Sequence, residues 1–130
     1  MLDVAVQKTK DGNYVFLCYS KLTANKNLTV AISKSKLLGN KLIKTRDIFT
    51  SNYLSKSGIH FGCRLALHDI HLFASLGDRG DRANAQNPSN HSGSIIRIPV
   101  NGNKPTRSLG WLPEIYSIGH RNPQGLYFQK

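Results

Sequence analysis

The sequence predicts an all-β fold, and three observations carry that reading. The apolar residues fall in short alternating or β-branched runs, and these runs are bounded by Gly, Asn, Asp or Ser. No stretch of about 12 residues or more keeps a helical period with caps at both ends. Several short strands separated by turn signals fit a sandwich, a barrel or a propeller. With 130 residues, 39% of them hydrophobic, the chain can build one core and is not expected to be disordered throughout.

The elements follow in order. Leu2-Asp3-Val4-Ala5-Val6 reads as an opening strand with alternating apolar positions. Tyr14 to Ser20 is rich in aromatic and β-branched residues, and Leu28 to Ser33 alternates larger apolar with small residues. Lys41 to Thr45 follows as a short strand. Cys63 to Leu67 and His71 to Leu76 form a hairpin joined by His68-Asp69-Ile70, read as a three-residue loop. Ser94 to Val100 and Glu114 to Ile118 complete the set, and Gly125 to Phe128 reads as one more strand beginning. Two groups of four strands, roughly 45 residues each, fit the length of a propeller-like chain. Both ends leave apolar strand backbone without a neighbour, so the expectation is a partial domain over residues 1–130, cut from something larger at each end. Two polar connections interrupt the strands. Gly77 to Gly93 is long enough to be either functional or disordered, and Asn101 to Gly110 carries Gly102 and Pro105 as turn residues.

Lys and Arg total 18 against 7 Asp and Glu, a formal charge of +11. That charge raises nucleic acid or an anionic surface as partners. The basic residues nevertheless stand singly between apolar ones, and zinc-finger spacing, a ribonucleoprotein motif and a helix-turn-helix are all absent. Nucleic acid is therefore not an expected partner. No apolar run approaches the roughly 18 residues of a membrane span, and no secretion signal is readable at the start. Cys18 and Cys63 cannot make a disulfide framework or a four-thiolate zinc site, and both are read as free, buried small residues. His68 and His71 offer two ligands with no third, so no metal site is expected. Arg79-Gly80-Asp81 matches an adhesion tripeptide and is discounted as a chance occurrence.

Two constellations can carry chemistry. Counting the hairpin register outward from Leu67 facing His71 places His60 opposite Asp78, at the separation where a carboxylate bonds an imidazole N–H. A histidine with a pKa near the ordinary value of about 6.5, oriented by a carboxylate, suits a general base at neutral pH. A structural His–Asp pair at a strand end explains the same spacing. The second constellation is Gly119-His120-Arg121-Asn122-Pro123-Gln124-Gly125. Its glycines and proline dictate a tight turn, and Arg121, Asn122 and Gln124 place a cation and two amides on the rim. Such a rim suits a ligand rich in carboxylates and carbonyls, or a turn that satisfies its own backbone.

Specific runs then point to a family. His60-Phe61-Gly62-Cys63-Arg64-Leu65, Ser75-Leu76-Gly77-Asp78-Arg79-Gly80, His91-Ser92-Gly93-Ser94-Ile95-Ile96-Arg97-Ile98, and Pro113-Glu114-Ile115-Tyr116-Ser117 leading into the Gly119 to Gly125 turn occur in family order and spacing. Together they resemble the soluble glucose/sorbosone (aldose sugar) dehydrogenases that use pyrroloquinoline quinone. The likeness covers nearly the whole chain and is weakest from Lys8 to Gly58. It implies an all-β, six-bladed propeller, of which two to three blades of antiparallel strands are present here. It implies His60 as the base that removes the anomeric proton of an aldose, Asp78 as the carboxylate that orients it, and a lactone as product. Arg121, Asn122 and Gln124 match cofactor-binding positions. Calcium is implied beside the quinone, with ligands mostly beyond Lys130. The expected substrate is an aldose, the expected compartment periplasmic or extracellular, and a complementary propeller chain is a further expected partner. The isolated chain is expected to be inactive. A non-catalytic propeller binding module and, less well supported, a basic nucleic-acid-binding domain are the alternatives.

Overall fold

The computed structural model describes residues 1–105 and 110–129, so the middle of the expected connection between Asn101 and Gly110 lies outside the described residues. Eight strands form two four-stranded antiparallel sheets, each in sequential order. The first sheet holds β1 (Asp3–Thr9), β2 (Gly12–Leu22), β3 (Leu28–Leu38) and β4 (Lys41–Thr50). The second holds β5 (Gly62–His68), β6 (His71–Leu76), β7 (Ser94–Pro99) and β8 (Ile115–Ile118). Two consecutive up-and-down meanders of four strands are the connectivity of two neighbouring propeller blades.

The sheets meet through one apolar core. Alternation turns Phe16 and Cys18 of β2, Val30 and Ile32 of β3, and Phe49 of β4 toward Cys63, Leu72, Ala74, Leu76, Ile96 and Ile98 of the second sheet. Polar bonds reinforce the seam. Leu65 N–H donates to Asp3 Oδ2 at 2.8 Å, and Arg64 Nη1 donates to the Leu2 carbonyl at 2.7 Å. His91, buried and 4.9 Å from the Phe49 ring, accepts the Asn52 N–H at Nδ1 and donates from Nε2 to Glu114. Burial pushes the His91 pKa down, and the Glu114 carboxylate only partly opposes this.

Several sequence expectations need correction. Cys18 and Cys63 are not free: they form a disulfide from β2 to β5, with their Cα atoms 6.4 Å apart. The cysteines stand 45 residues apart, and only the stacking of one sheet on the other faces their side chains. The hairpin turn is Asp69-Ile70 rather than three residues, because His68 pairs with His71, and Asp69 takes a φ of 52°. The Gly77 to Gly93 stretch, for which the sequence left function and disorder both open, folds back on itself. It contains a short 3-10 turn, Arg82–Gln86, capped by the Asp81 carboxylate, and its ends are tied by Gly93 N–H to the Gly77 carbonyl at 3.0 Å. Residues 125–128 form no ladder. They are held by side chains instead, with the Phe128 ring 4.8 Å from Phe73 and 4.6 Å from His68. β3 and β4 also run further than Ser33 and Thr45, because polar residues on one face continue the pairing without breaking the strands.

Candidate active site

The site begins where the β5–β6 ladder ends. Four rungs, from His68 opposite His71 to Leu65 opposite Ala74, run in regular register, and a bulge then brings Gly62 opposite Leu76. The bulge offsets the one-residue slip that the shorter turn introduces. Beyond the last rung the two segments stay side by side, with Gly77 N–H donating to the Phe61 carbonyl at 3.2 Å and Arg79 N–H to the His60 carbonyl at 3.4 Å. A Cβ at residue 77 would overlap the His60 carbonyl, so only glycine allows this approach. His60 itself has a φ of 50°, a costly conformation for a residue with a side chain and one that concentrates at functional sites.

His60 Nδ1 lies 2.7 Å from Asp78 Oδ1. The Asp78 side chain is 1% exposed and that of His60 22%, so the pair sits at the surface with its carboxylate sealed beneath. Oδ1 also accepts the Gly80 N–H at 2.8 Å, whereas Oδ2 is buried without a partner. Burial acts most strongly on this carboxyl and raises its pKa. The His60 hydrogen bond, the Gly80 N–H and the charges of His60 and Arg121 together outweigh burial and hold it below its ordinary value. An ionised Asp78 accepts the Nδ1–H of a neutral imidazole, which leaves the lone pair on Nε2.

A carboxyl with a lowered folded pKa contributes stability above its unfolded value of about 3.9, and this is lost as pH falls through the folded value. Urea unfolding midpoints are expected to drop steeply below about pH 4, and less steeply in Asp78→Asn. Parallel curves for the two proteins would assign the acid lability to another group.

The Gly119 to Gly125 turn docks on the same end of the hairpin. Its Arg121 carbonyl accepts the Asp78 N–H at 2.7 Å, Asn122 Oδ1 accepts the Gly62 N–H at 3.2 Å, and the Pro123 carbonyl accepts the Ser75 hydroxyl at 3.0 Å. The structure thus brings His60, Asp78, Arg121 and Asn122 to one place. Gln124 is used differently: its Oε1 and its carbonyl accept from Arg64 and its Nε2 donates to Asn122, so its side chain braces the turn. The Arg121 guanidinium is exposed and makes no hydrogen bond among the described residues. Nor, among the described residues, do three or more His, Cys, Asp or Glu side chains gather as metal ligands.

Two arginines escaped the sequence reading. Arg79, discounted as part of a chance tripeptide, is 5% exposed, and its guanidinium stacks 3.7 Å from the Phe61 ring centroid. It donates to the carbonyls of Ile59 and Ser57, which pins the segment carrying His60. Arg64 ties the turn to the residue just before β1 through Gln124 and Leu2. The only available signal for Arg79 was its place directly after the candidate Asp78, and nothing in the spacing marked Arg64.

The chain is similar to the uncharacterized protein slr1608 of Synechocystis sp., at 34% identity over 145 residues, covering 98% of this chain and 35% of that protein. It is similar to the aldose sugar dehydrogenase YliI of Escherichia coli at 29% identity over 120 residues, covering 86% of this chain and 32% of that one. The chain therefore spans about a third of the length of these curated relatives. Among solved structures, the apo soluble aldose sugar dehydrogenase of Escherichia coli superposes with a TM-score of 0.82 at 28% identity, covering 89% of this chain and 36% of that one. A glucose dehydrogenase structure gives a TM-score of 0.81 at 28% identity, over 92% and 38% of the two chains. The sheets described above are thus two blades shared with these enzymes. The glucose/sorbosone dehydrogenase family pattern matches residues 1–130 from end to end, and the chain belongs to that family.

Proposed function

We propose that residues 1–130 form part of a six-bladed propeller that oxidises an aldose at its anomeric carbon to a lactone, with the remaining blades supplied by further sequence or by a second chain. The observation that carries this reading is the 2.7 Å bond from His60 to a buried, ionised Asp78. His60 Nε2 takes the proton of the anomeric hydroxyl, and Asp78 keeps the ring in the required tautomer and stabilises the imidazolium that forms. The chemistry supplied by bound pyrroloquinoline quinone is acceptance of the hydride that leaves the sugar C1. The donors present fit such a group. The Arg121 guanidinium and the Asn122 amide nitrogen have no hydrogen-bond partner among the described residues, and they sit beside the pair as N–H donors for quinone oxygens. Gln124 serves that grip by holding the turn in shape. Among the described residues no cluster of three or more carboxylate, histidine or cysteine side chains stands here to hold calcium. A Cys18–Cys63 disulfide suits an oxidising compartment, which supports the periplasm or the cell exterior as location.

The test is a titration of quinone into the complete protein and into the 130-residue chain, read by fluorescence quenching and by sugar-dependent dye reduction. The complete protein is expected to bind and turn over, and the short chain is expected not to turn over. Arg121→Ala is expected to weaken quinone binding about tenfold or more, the worth of one charge-assisted contact. Unchanged quinone affinity in that variant would remove Arg121 from the cofactor site.

A further inference from the structure

The excess of positive charge has a local expression away from the His60 site. Tyr14, Lys34, Ser35, Lys36, Lys44 and Arg46 line a cleft of about 220 Å³ on the sheet formed by β2, β3 and β4. No carboxylate among the described residues lies within ion-pair distance of these four cations. Lys34 and Arg46 stand directly opposite each other in the β3–β4 ladder, a like-charge pairing that destabilises a sheet. Among the described residues their side chains hydrogen-bond only to backbone carbonyls, Lys34 Nζ to Val100 at 2.7 Å and Arg46 Nη2 to Asn101 at 3.5 Å. The Lys34 ammonium also sits 4.3 Å from the Tyr14 ring centroid, which fixes its position at the edge of the cleft.

The backbone contributes a second observation. The ladder is irregular between Lys34 and Lys36, and on the facing strand Lys44 adopts a φ of 53°. Bulges re-aim side chains, and a strained residue persists where the surrounding structure over-determines it. Here the strained residue is a lysine, and it joins a cleft that already holds three cations.

We propose that this cleft binds a doubly charged oxyanion of the phosphate class, either free phosphate or a phosphate monoester. A divalent tetrahedral anion offsets the repulsion between Lys34 and Arg46, accepts the guanidinium fork of Arg46, and takes point charges from Lys36 and Lys44. The cleft volume lies below the usual 300 to 1,000 Å³ range for drug-sized ligands, which points to a small anion. The proposal is independent of the sugar-oxidising reading, since none of its residues belongs to that site.

The experiment is thermal unfolding and phosphorus-31 line-broadening titration of the 130-residue chain in phosphate, in glycerol phosphate and in chloride at matched ionic strength. Saturable stabilisation by either phosphate, and none by chloride, is the expected result. Tighter binding of the ester identifies a monoester site, and tighter binding of inorganic phosphate identifies a free-anion site. The double variant Lys36→Gln with Lys44→Gln leaves the Lys34 and Arg46 contacts to residues 100 and 101 in place. It is expected to keep the unfolding midpoint in chloride while weakening phosphate binding about tenfold or more. Equal effects of chloride and phosphate, unchanged binding in the double variant, or binding of duplex DNA without saturable binding of phosphate would each overturn the proposal.

Discussion

Replacing His60 with alanine in the complete dehydrogenase is expected to lower aldose oxidation about 10³-fold while leaving quinone affinity within about twofold, the range for loss of a general base. The tautomer decides which ring nitrogen is basic. Asp78 accepts the Nδ1–H at 2.7 Å, so the basic nitrogen is Nε2 and the side chain that carries it is partly exposed. Removing the ring removes the proton acceptor and leaves the donors at Arg121 and Asn122 in place. Asp78→Asn separates basicity from geometry. An amide can keep the short contact only by donating or by accepting as a neutral group, and it no longer stabilises an imidazolium, so kcat is expected to fall with the acidic limb of the pH profile displaced. Retention of more than a tenth of wild-type kcat by His60→Ala would take this histidine out of the mechanism.

Loss of the Cys18–Cys63 bond is expected to have the largest effect on stability. Closing a loop across a 45-residue separation restricts the unfolded chain by about 4 kcal/mol in the chain-entropy account. For a chain of this size that corresponds to a fall in Tm of about 15 °C. Thermal melts with and without reductant, together with the Cys18→Ser and Cys63→Ser double variant, measure it. Both routes are expected to give the same shift. A change below about 3 °C would show that the bond does not constrain the unfolded ensemble.

The strands were legible because their signal is local. Alternation within Leu28 to Ser33, or the run from His71 to Leu76, reports which side chains share a face whatever the rest of the chain does. The pairing of His60 with Asp78 was legible by a less secure route. A three-residue turn and a regular ladder predict it, while the structure reaches it with a two-residue turn and a bulge whose displacements cancel. Turn length and bulge position depend on how backbone bonds are satisfied in three dimensions, and residue types constrain them only loosely.

What the sequence by itself determined is the all-β class and the runs around His60, Asp78 and Arg121 that identify the family; the division into two sheets of four strands came from the structure. The tertiary structure alone decided the rest. It joined Cys18 to Cys63, buried Arg79 beneath the His60 segment, committed Gln124 to bracing its turn, and gathered Lys34, Lys36, Lys44 and Arg46 around one cleft. Each of these depends on which faces of separate strands meet, and that is settled by packing the two sheets against a common core rather than by any neighbour in the chain.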